Sequence, residues 1–447
     1  MPKPVVILHG YSDESKSFRP LADFLKAQGF KTVPLYLGDY ISLEDNVTIA
    51  DIAKAFVRAL ADKNISTDAA SFDLIVHSTG ALVAREWLTR FFLEEGERCP
   101  VDHFLMLAPA NFGSPLGSVG KTMFGRIVKG WKTGFQSGTQ VLNALELASP
   151  YTYELARRDL FGAKSFYDPK VCKAAVLVGS KPYQSGFRQL VDRNGGDGTV
   201  FVSTANLNAA GMSLRFRGGT DVPKPQRWEC AAKPIAFGVF SDRDHGSIVQ
   251  PAAGSENLGR LIVNFLSTDS VPAYSQFAAQ CDQLTAATLP EAPTDDIFHT
   301  YQHLVTRVRD DLGFPVLDYF LEFYEKPTTA RDRFKADELM VQIHTEILES
   351  VHPYKPDESY RSFLFDLTDL KKLLSEGARL MFSLSAAPLG DLVGFASGAP
   401  SDASEIEIGL QPDGTSTSGF WRPNQSLLLD ITIERTQDPK VFKLTRY

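Results

Sequence analysis

The apolar run Phe72-Asp73-Leu74-Ile75-Val76-His77 passes through Ser78-Thr79-Gly80 straight into a helical pattern that begins at Ala81 and continues to about Phe92. A strand that becomes a helix within three residues leaves no room for a hairpin. The helix must run back along the face of the sheet that holds the strand, and the next strand then enters parallel to the first. The flanking sequence repeats this alternation. Strands are expected at Pro4 to Leu8, Lys31 to Tyr36 and Val101 to Leu107. Helices are expected at Phe18 to Gln28, closed by Gly29, and at Asn46 to Asp62, where Ile49, Ile52, Ala53, Phe56 and Leu60 recur at helical spacing. The first part of the chain is therefore α/β, with a mostly parallel sheet flanked by helices.

The rhythm breaks between Ala110 and Ala163, where seven glycines from 113 to 138 alternate with Phe112, Met123, Phe124, Ile127, Trp131 and Phe135, which marks an insertion. It resumes with strands at Ala174 to Gly179, Met212 to Phe216 and Ile235 to Phe240, and a closing helix near Glu256 to Leu266. After a polar Ala/Pro-rich passage the period changes to two: Leu317, Tyr319, Leu321 and Phe323 share one face, as do Phe363, Phe365 and Leu367, and Leu427, Leu429, Ile431 and Ile433. We expect a catalytic domain over 1–270 with an insertion at 112–165, a linker over 271–295, and an antiparallel β-sandwich-like domain over 296–447.

A net charge of −8, with no long Lys/Arg block, excludes a nucleic-acid partner and is easier to reconcile with a neutral or cationic small substrate. No stretch approaches the roughly 18 apolar residues of a membrane span, and MPKPVVILHG reads as a strand and not as a signal peptide. Cys99, Cys172, Cys230 and Cys281 are scattered singly, as expected for reduced, buried thiols in a cytoplasmic protein.

Chemistry concentrates where strands end. A serine at the turn from strand 72–77 projects its hydroxyl above the sheet edge, and the Thr79 N–H beside it can hold a developing oxyanion. His9-Gly10-Tyr11 follows the first strand, where the Tyr11 N–H offers a second such donor. A serine needs a base, and of eight histidines His245 stands in Asp244-His245-Gly246, between an apolar strand and the last helix. The base needs an acid to orient it. Asp197, framed in Gly195-Gly196-Asp197-Gly198, is preferred over Asp242 and Asp244, which are too close to His245 in sequence, and over Asp192, which lacks the glycine frame. His299 and His303, at i, i+4, read as surface polarity on a strand, not as metal ligands.

Ser78, Asp197 and His245 in that order, after a His-Gly loop, resemble the α/β-hydrolase superfamily, within it the lipase and phospholipase-like branch. Leu107-Ala108-Pro109-Ala110-Asn111-Phe112-Gly113-Ser114-Pro115-Leu116 is similar to a Pro-x-x-Gly-Ser-Pro-Leu tract found in many lipases. One position departs from the pattern: two residues before the serine stands Val76 in place of a small residue. The resemblance spans about residues 4 to 267. It implies hydrolysis of a carboxylic ester with a hydrophobic acyl group, without cofactor or metal, by a Ser78–His245–Asp197 triad with Tyr11 and Thr79 as oxyanion donors. It also implies that 112–165 is a cap or lid with Phe112 and Trp131 against the acyl group, a static core subdomain being the alternative, and that the terminal β domain is an accessory module whose contact is a lipid surface, a protein partner or the catalytic domain itself. Acyl transfer on the same triad, or a catalytically silent protein acting through the β domain, are the alternatives.

Overall fold

A computed structural model describes residues 3–8, 18–36, 44–119, 138–182, 194–217, 227–230, 233–252, 257–288, 299–326, 333–374, 379–387, 393–395, 406–410 and 419–437. The chain forms two compact units, Met1–Asn208 with Ala231–His299, and Ala209–Cys230 with Thr300–Tyr447.

In unit 1, β1 (Pro4–Leu8), β2 (Lys31–Leu35), β3 (Phe72–His77), β4 (Val101–Leu107) and β5 (Lys173–Gly179) are joined by β8 (Ala236–Phe240), while β6 (Ala210–Phe216) and β7 (Arg227–Cys230) belong to unit 2. The unit 1 sheet has the order β2-β1-β3-β4-β5-β8 with every pairing parallel. Every residue of β3, β5 and β8 is buried, because helices cover both faces. Helix α1 (Arg19–Ala27) buries Leu21, Ala22 and Leu25. Helix α2 (Ile49–Asp62) starts in a capping box, with the Thr48 hydroxyl accepting from the Asp51 N–H and the Asp51 carboxylate accepting from the Thr48 N–H. Helix α3 (Gly80–Leu88) is buried along its whole length. The chain runs from β1 outward to β2 and then back to β3 on the other side of β1. The order of the sheet therefore reverses at β1 and β3, the place where parallel sheets open a crevice at their C-terminal edge.

Three expectations need correction. Residues 209–230, assigned to the first domain from their apolar strand, form β6 and β7 of unit 2. An apolar run reports burial but not which sheet buries it. The expected linker from 271 begins instead as an 18-residue helix, Val271–Thr288, within unit 1. Its inner stripe is narrow, only Tyr274, Phe277, Cys281 and Thr288, which is why its composition reads as polar. The Tyr274 hydroxyl accepts from the Ala236 N–H and donates to the Ala174 carbonyl, and the Thr285 hydroxyl accepts from the Val239 N–H, so this helix satisfies the backbone of edge strand β8. The described part of the expected cap holds two helices, Thr139–Leu145 and Pro150–Asp159, with most of their residues buried. Among the described residues no helix is long and apolar enough to cross a membrane. Cys99, Cys172 and Cys281 are buried free thiols, and burial pushes the Cys281 thiol up to about 12.

Unit 2 is the expected sandwich. One sheet has the order β11-β12-β9-β16-β6-β7, with β9 (Tyr301–Asp310), β11 (Leu348–Pro353), β12 (Tyr360–Asp366) and β16 (Ser426–Ile433). A second has the order β10-β13-β15, with β10 (Tyr319–Glu325), β13 (Leu380–Ala386) and β15 (Ile406–Glu407), and β14 (Val393–Phe395) pairs with β17 (Arg435–Gln437). Its pairings are antiparallel except that β16 runs parallel to both β9 and β6. Leu304, Phe363, Phe365, Leu427, Leu429 and Ile431 from one sheet share a core with Leu321, Phe323, Phe382 and Leu384 from the other. The period of two names Leu321, Phe323, Phe363, Phe365, Leu427, Leu429 and Ile431 correctly, but Leu317, expected on the same face, is 51% exposed. His299 and His303 correct the reading of surface polarity: both are buried, His303 fully, with its Nδ1 2.9 Å from the Ser426 hydroxyl and its Nε2 2.9 Å from the Ser362 hydroxyl, so one imidazole ties β9 to both neighbours.

Burial, which denies the imidazolium its water, depresses His303 to about 3. The unfolded chain takes up this proton below about pH 6.5, while the folded chain does not until the pH nears 3. Stability from this residue is therefore intact at neutral pH and falls as pH drops through that window, by up to about 1.4 kcal/mol per pH unit. His303→Gln, which cannot titrate, is expected to show a smaller fall in thermal midpoint between pH 7 and pH 5 than the parent chain. Equal slopes would assign the acid sensitivity elsewhere.

Candidate active site

Ser78 follows β3 with φ +52°, the left-handed region that an L-residue enters only at a cost. The turn is held from both sides. The Ser78 N–H donates to the Leu107 carbonyl at 3.2 Å, and the Ser78 carbonyl accepts from the Ala81 N–H at 3.2 Å and the Ala110 N–H at 3.4 Å. Val76, the departure from the usual pattern, is fully buried in β3, and the serine reaches its strained conformation with that side chain in place. Thr79 and Gly80 are buried, while Ser78 itself is half-buried at the helix N-terminus. Helix N-termini carry N–H groups without intrahelical acceptors, so the Thr79 amide stands where an anion is favoured.

His245 reaches Ser78 from the far edge strand. After β8 the chain passes over the end of β5, where the Lys181 N–H donates to the Arg243 carbonyl at 3.0 Å. A side chain at Gly179 would place its Cβ 1.9 Å from that carbonyl oxygen, so only glycine lets the loop through. The Asp244 carboxylate then accepts from the Gly246 and Ser247 N–H groups at 3.0 and 2.7 Å, which employs this rival acid in folding the turn. The turn delivers the imidazole with Nε2 3.1 Å from the Ser78 Oγ and Nδ1 2.9 Å from the Asp197 Oδ2.

Asp197 is fully buried in its glycine-framed loop. Its Oδ1 accepts from the Thr199 and Val200 N–H groups at 2.9 and 2.8 Å, leaving Oδ2 for His245. A Cβ at Gly196 would come within 2.5 Å of the Val200 carbonyl oxygen, so the loop closes only around a bare backbone there. The His245 N–H also donates to the Asp197 carbonyl at 3.0 Å, so main chain and side chain of the two residues are joined. A carboxylate only accepts. Nδ1 therefore carries the proton, and in the neutral ring Nε2 is free to accept the Ser78 hydroxyl proton. This hydrogen-bonded chain can move a proton from a hydroxyl to an imidazole whose positive charge a carboxylate then faces.

The other described histidines are occupied. His103, on β4, bonds Asp73 at 2.7 Å through Nδ1 and the Thr268 carbonyl at 2.8 Å through Nε2, and the His344 Nε2 accepts from the Phe323 N–H at 3.1 Å. His77 places its Nε2 3.0 Å from the His245 carbonyl oxygen. Its signal was a polar ring closing an otherwise apolar run, beside the serine. Tyr11 and Trp131 lie outside the described residues. Phe112 is buried, with the Arg85 guanidinium 5.9 Å from its ring centroid, and its N–H donates to the Thr204 carbonyl.

Beneath the serine loop lies a buried ion pair that sequence patterning missed. Arg85 on α3 meets Asp159 through Nε and Nη2 at 2.8 and 3.0 Å, both side chains fully buried, and the Tyr167 hydroxyl also donates to Asp159. Burial opposes the Arg85 charge, but Asp159 outweighs it and raises the guanidinium above its ordinary value. Arg85 Nη1 donates to the Asn111 carbonyl at 3.0 Å, and Asn111 Nδ2 donates to the Ala205 carbonyl at 2.7 Å. The segment that follows β4 and supports Ser78 is thus fixed by a charge.

No protein-family model matches the chain, and no curated protein matches it in sequence. Solved structures do. The chain is similar over its whole length to phospholipase PlaB from Legionella pneumophila, with a TM-score of 0.80, 22% identity and 97% of that protein covered. It is likewise similar to the same phospholipase in complex with thio-NAD, with a TM-score of 0.78, 23% identity and the same coverage. The chain has the α/β-hydrolase fold with an appended β domain.

Gly179→Ala is expected to displace the 243–245 turn. The rate at which a fluorophosphonate labels Ser78, followed by intact mass, should fall at least about tenfold while the chain stays folded, since misplacing a reacting group by about 1 Å can cost about a hundredfold. An unchanged labelling rate would show that the turn does not depend on that close approach.

Proposed function

We propose that this chain is a serine hydrolase that cleaves carboxylic esters of lipid type. The observation that carries the proposal is the unbroken hydrogen-bonded chain from Ser78 through His245 to Asp197, with the serine held at positive φ on the C-terminal edge of a parallel sheet. As the Ser78 Oγ attacks the ester carbonyl carbon, His245 Nε2 takes its proton. Asp197 holds the ring by Nδ1–H and faces the imidazolium. The carbonyl oxygen becomes an oxyanion, received by the N–H groups of Thr79 and Tyr11. His245 returns the proton to the departing alkoxide, which leaves as an alcohol. A water then gives its proton to His245, attacks the acyl-serine and releases the acid, and the proton returns to Ser78.

A hydrophobic acyl group suits the apolar composition of the 112–165 insertion. The phospholipase identity of the structural neighbour favours a phospholipid among lipid esters. In a panel of p-nitrophenyl esters from acetyl to palmitoyl, together with phosphatidylcholine vesicles, turnover is expected to favour the longer acyl chains. Ser78→Ala should lose at least about 10⁴-fold in kcat and Asp197→Asn about 10³- to 10⁴-fold. Retention of hydrolysis by Ser78→Ala would sink the proposal, and a sharp optimum at acetyl would sink its lipid part.

A further inference from the structure

We infer that His77 is a positioning residue for the base, and that its Nε2–H, donated to the His245 carbonyl, sets how closely His245 approaches Ser78. The inference deepens the hydrolase reading and rests on it.

The two residues come from distant strands. His77 ends β3 and His245 follows β8, with β4 and β5 between them in the sheet. Three inter-strand steps amount to about 14 Å. The base loop must cross that distance above the sheet edge and arrive with a tolerance of a few tenths of an ångström. The side chain of His245 is held at Nδ1 by Asp197, and its N–H is held by the Asp197 carbonyl. Both of these anchors lie on the acid's side. The 3.0 Å bond from His77 to the His245 carbonyl ties the same residue to the nucleophile's own strand. His77 and Ser78 are chain neighbours, so a shift of the β3 end carries the serine and the base together.

A carbonyl oxygen accepts and never donates, so His77 Nε2 carries a proton. That proton is present in the neutral Nε2–H tautomer and in the charged ring alike, which makes the anchor independent of the ring's ionisation. Both imidazoles are nearly inaccessible, each 5% exposed, so no water replaces the bond when it is removed. The ring also fills space: its centroid is 4.6 Å from that of His245 and 5.4 Å from that of Phe18, edge-on to the latter. A packing role and a donor role therefore make different predictions for substitutions of similar size.

The test compares His77→Leu, which keeps bulk and loses the donor, with His77→Gln, whose side-chain amide N–H reaches about as far as Nε2–H. Measured on one p-nitrophenyl ester, His77→Leu is expected to lower kcat about ten- to a hundredfold with KM within about threefold, and to slow fluorophosphonate labelling of Ser78 by the same factor as kcat. His77→Gln should recover to within about fivefold of the parent. Equal losses in the two variants, or none in His77→Leu, would overturn the inference. If His77→Leu does not fold, as judged by its thermal midpoint, His77→Asn replaces it. Its amide is one bond too short, so activity in Gln without activity in Asn supports the anchor, and equal activity overturns it. Ser78→Ala measured alongside separates the failures: an active Ser78→Ala rejects the hydrolase reading, whereas an inactive Ser78→Ala with a fully active His77→Leu rejects only the anchor.

Discussion

Six strands running in one direction impose the constraint on which the site in unit 1 depends. When every strand is parallel, every strand's C-terminal end emerges on the same edge, and the chain must cross back to the opposite edge before each new strand. Loops far apart in sequence are then forced into one crevice. Ser78 and His245 are 167 positions apart and Asp197 and His245 are 48 apart, yet all three meet within hydrogen-bond distance. Nothing local in any of the three loops brings this about. The sheet does, and each loop adds only the turn that aims its side chain: positive φ at Ser78, two backbone amides behind Asp197, and the Asp244 carboxylate inside the turn of His245.

Much of this was legible without coordinates because the relevant signals are short-range. Strand 72–77 running into helix 80–88, the glycine frame of Asp197 and the order Ser78, Asp197, His245 are all visible in a linear chain, and the period of two marks most of the inner faces of unit 2. What stayed hidden has a common cause: it depends on which partner an element finds. Met212 to Phe216 reads as a buried strand and is one, but its neighbours are β16 and β7. Helix 271–288 reads as a linker because only a thin stripe of it is apolar, and what holds it is hydroxyl groups meeting the backbone of β8. His303 reads as surface polarity because a histidine's burial is decided by whether both nitrogens find partners, and the serines that receive them lie 59 and 123 positions away.

Buried polarity in this chain is of two kinds. His303 is buried neutral and ties strands through hydroxyls. Arg85 and Asp159 are buried as charges, with Tyr167 and Asn111 completing their hydrogen bonds. A pair of this sort contributes little net stability when compared with a well-packed apolar pair, yet leaving either member alone costs about 3–5 kcal/mol. Its effect is to allow one arrangement of the 108–112 segment, the one in which the Ala110 amide meets the Ser78 carbonyl.

The left-handed backbone of Ser78 carries a consequence for how such a chain drifts. Glycine occupies that region without strain, so replacing the serine with glycine would relax the turn and recover about 1 kcal/mol of folding free energy. Any pressure that rewards robustness alone, such as survival through heat or long storage, therefore pushes this position away from serine. Under the proposed hydrolase function the reaction is what would hold Ser78 in place, and a chain released from that demand would have a downhill path to a sturdier protein on the same scaffold.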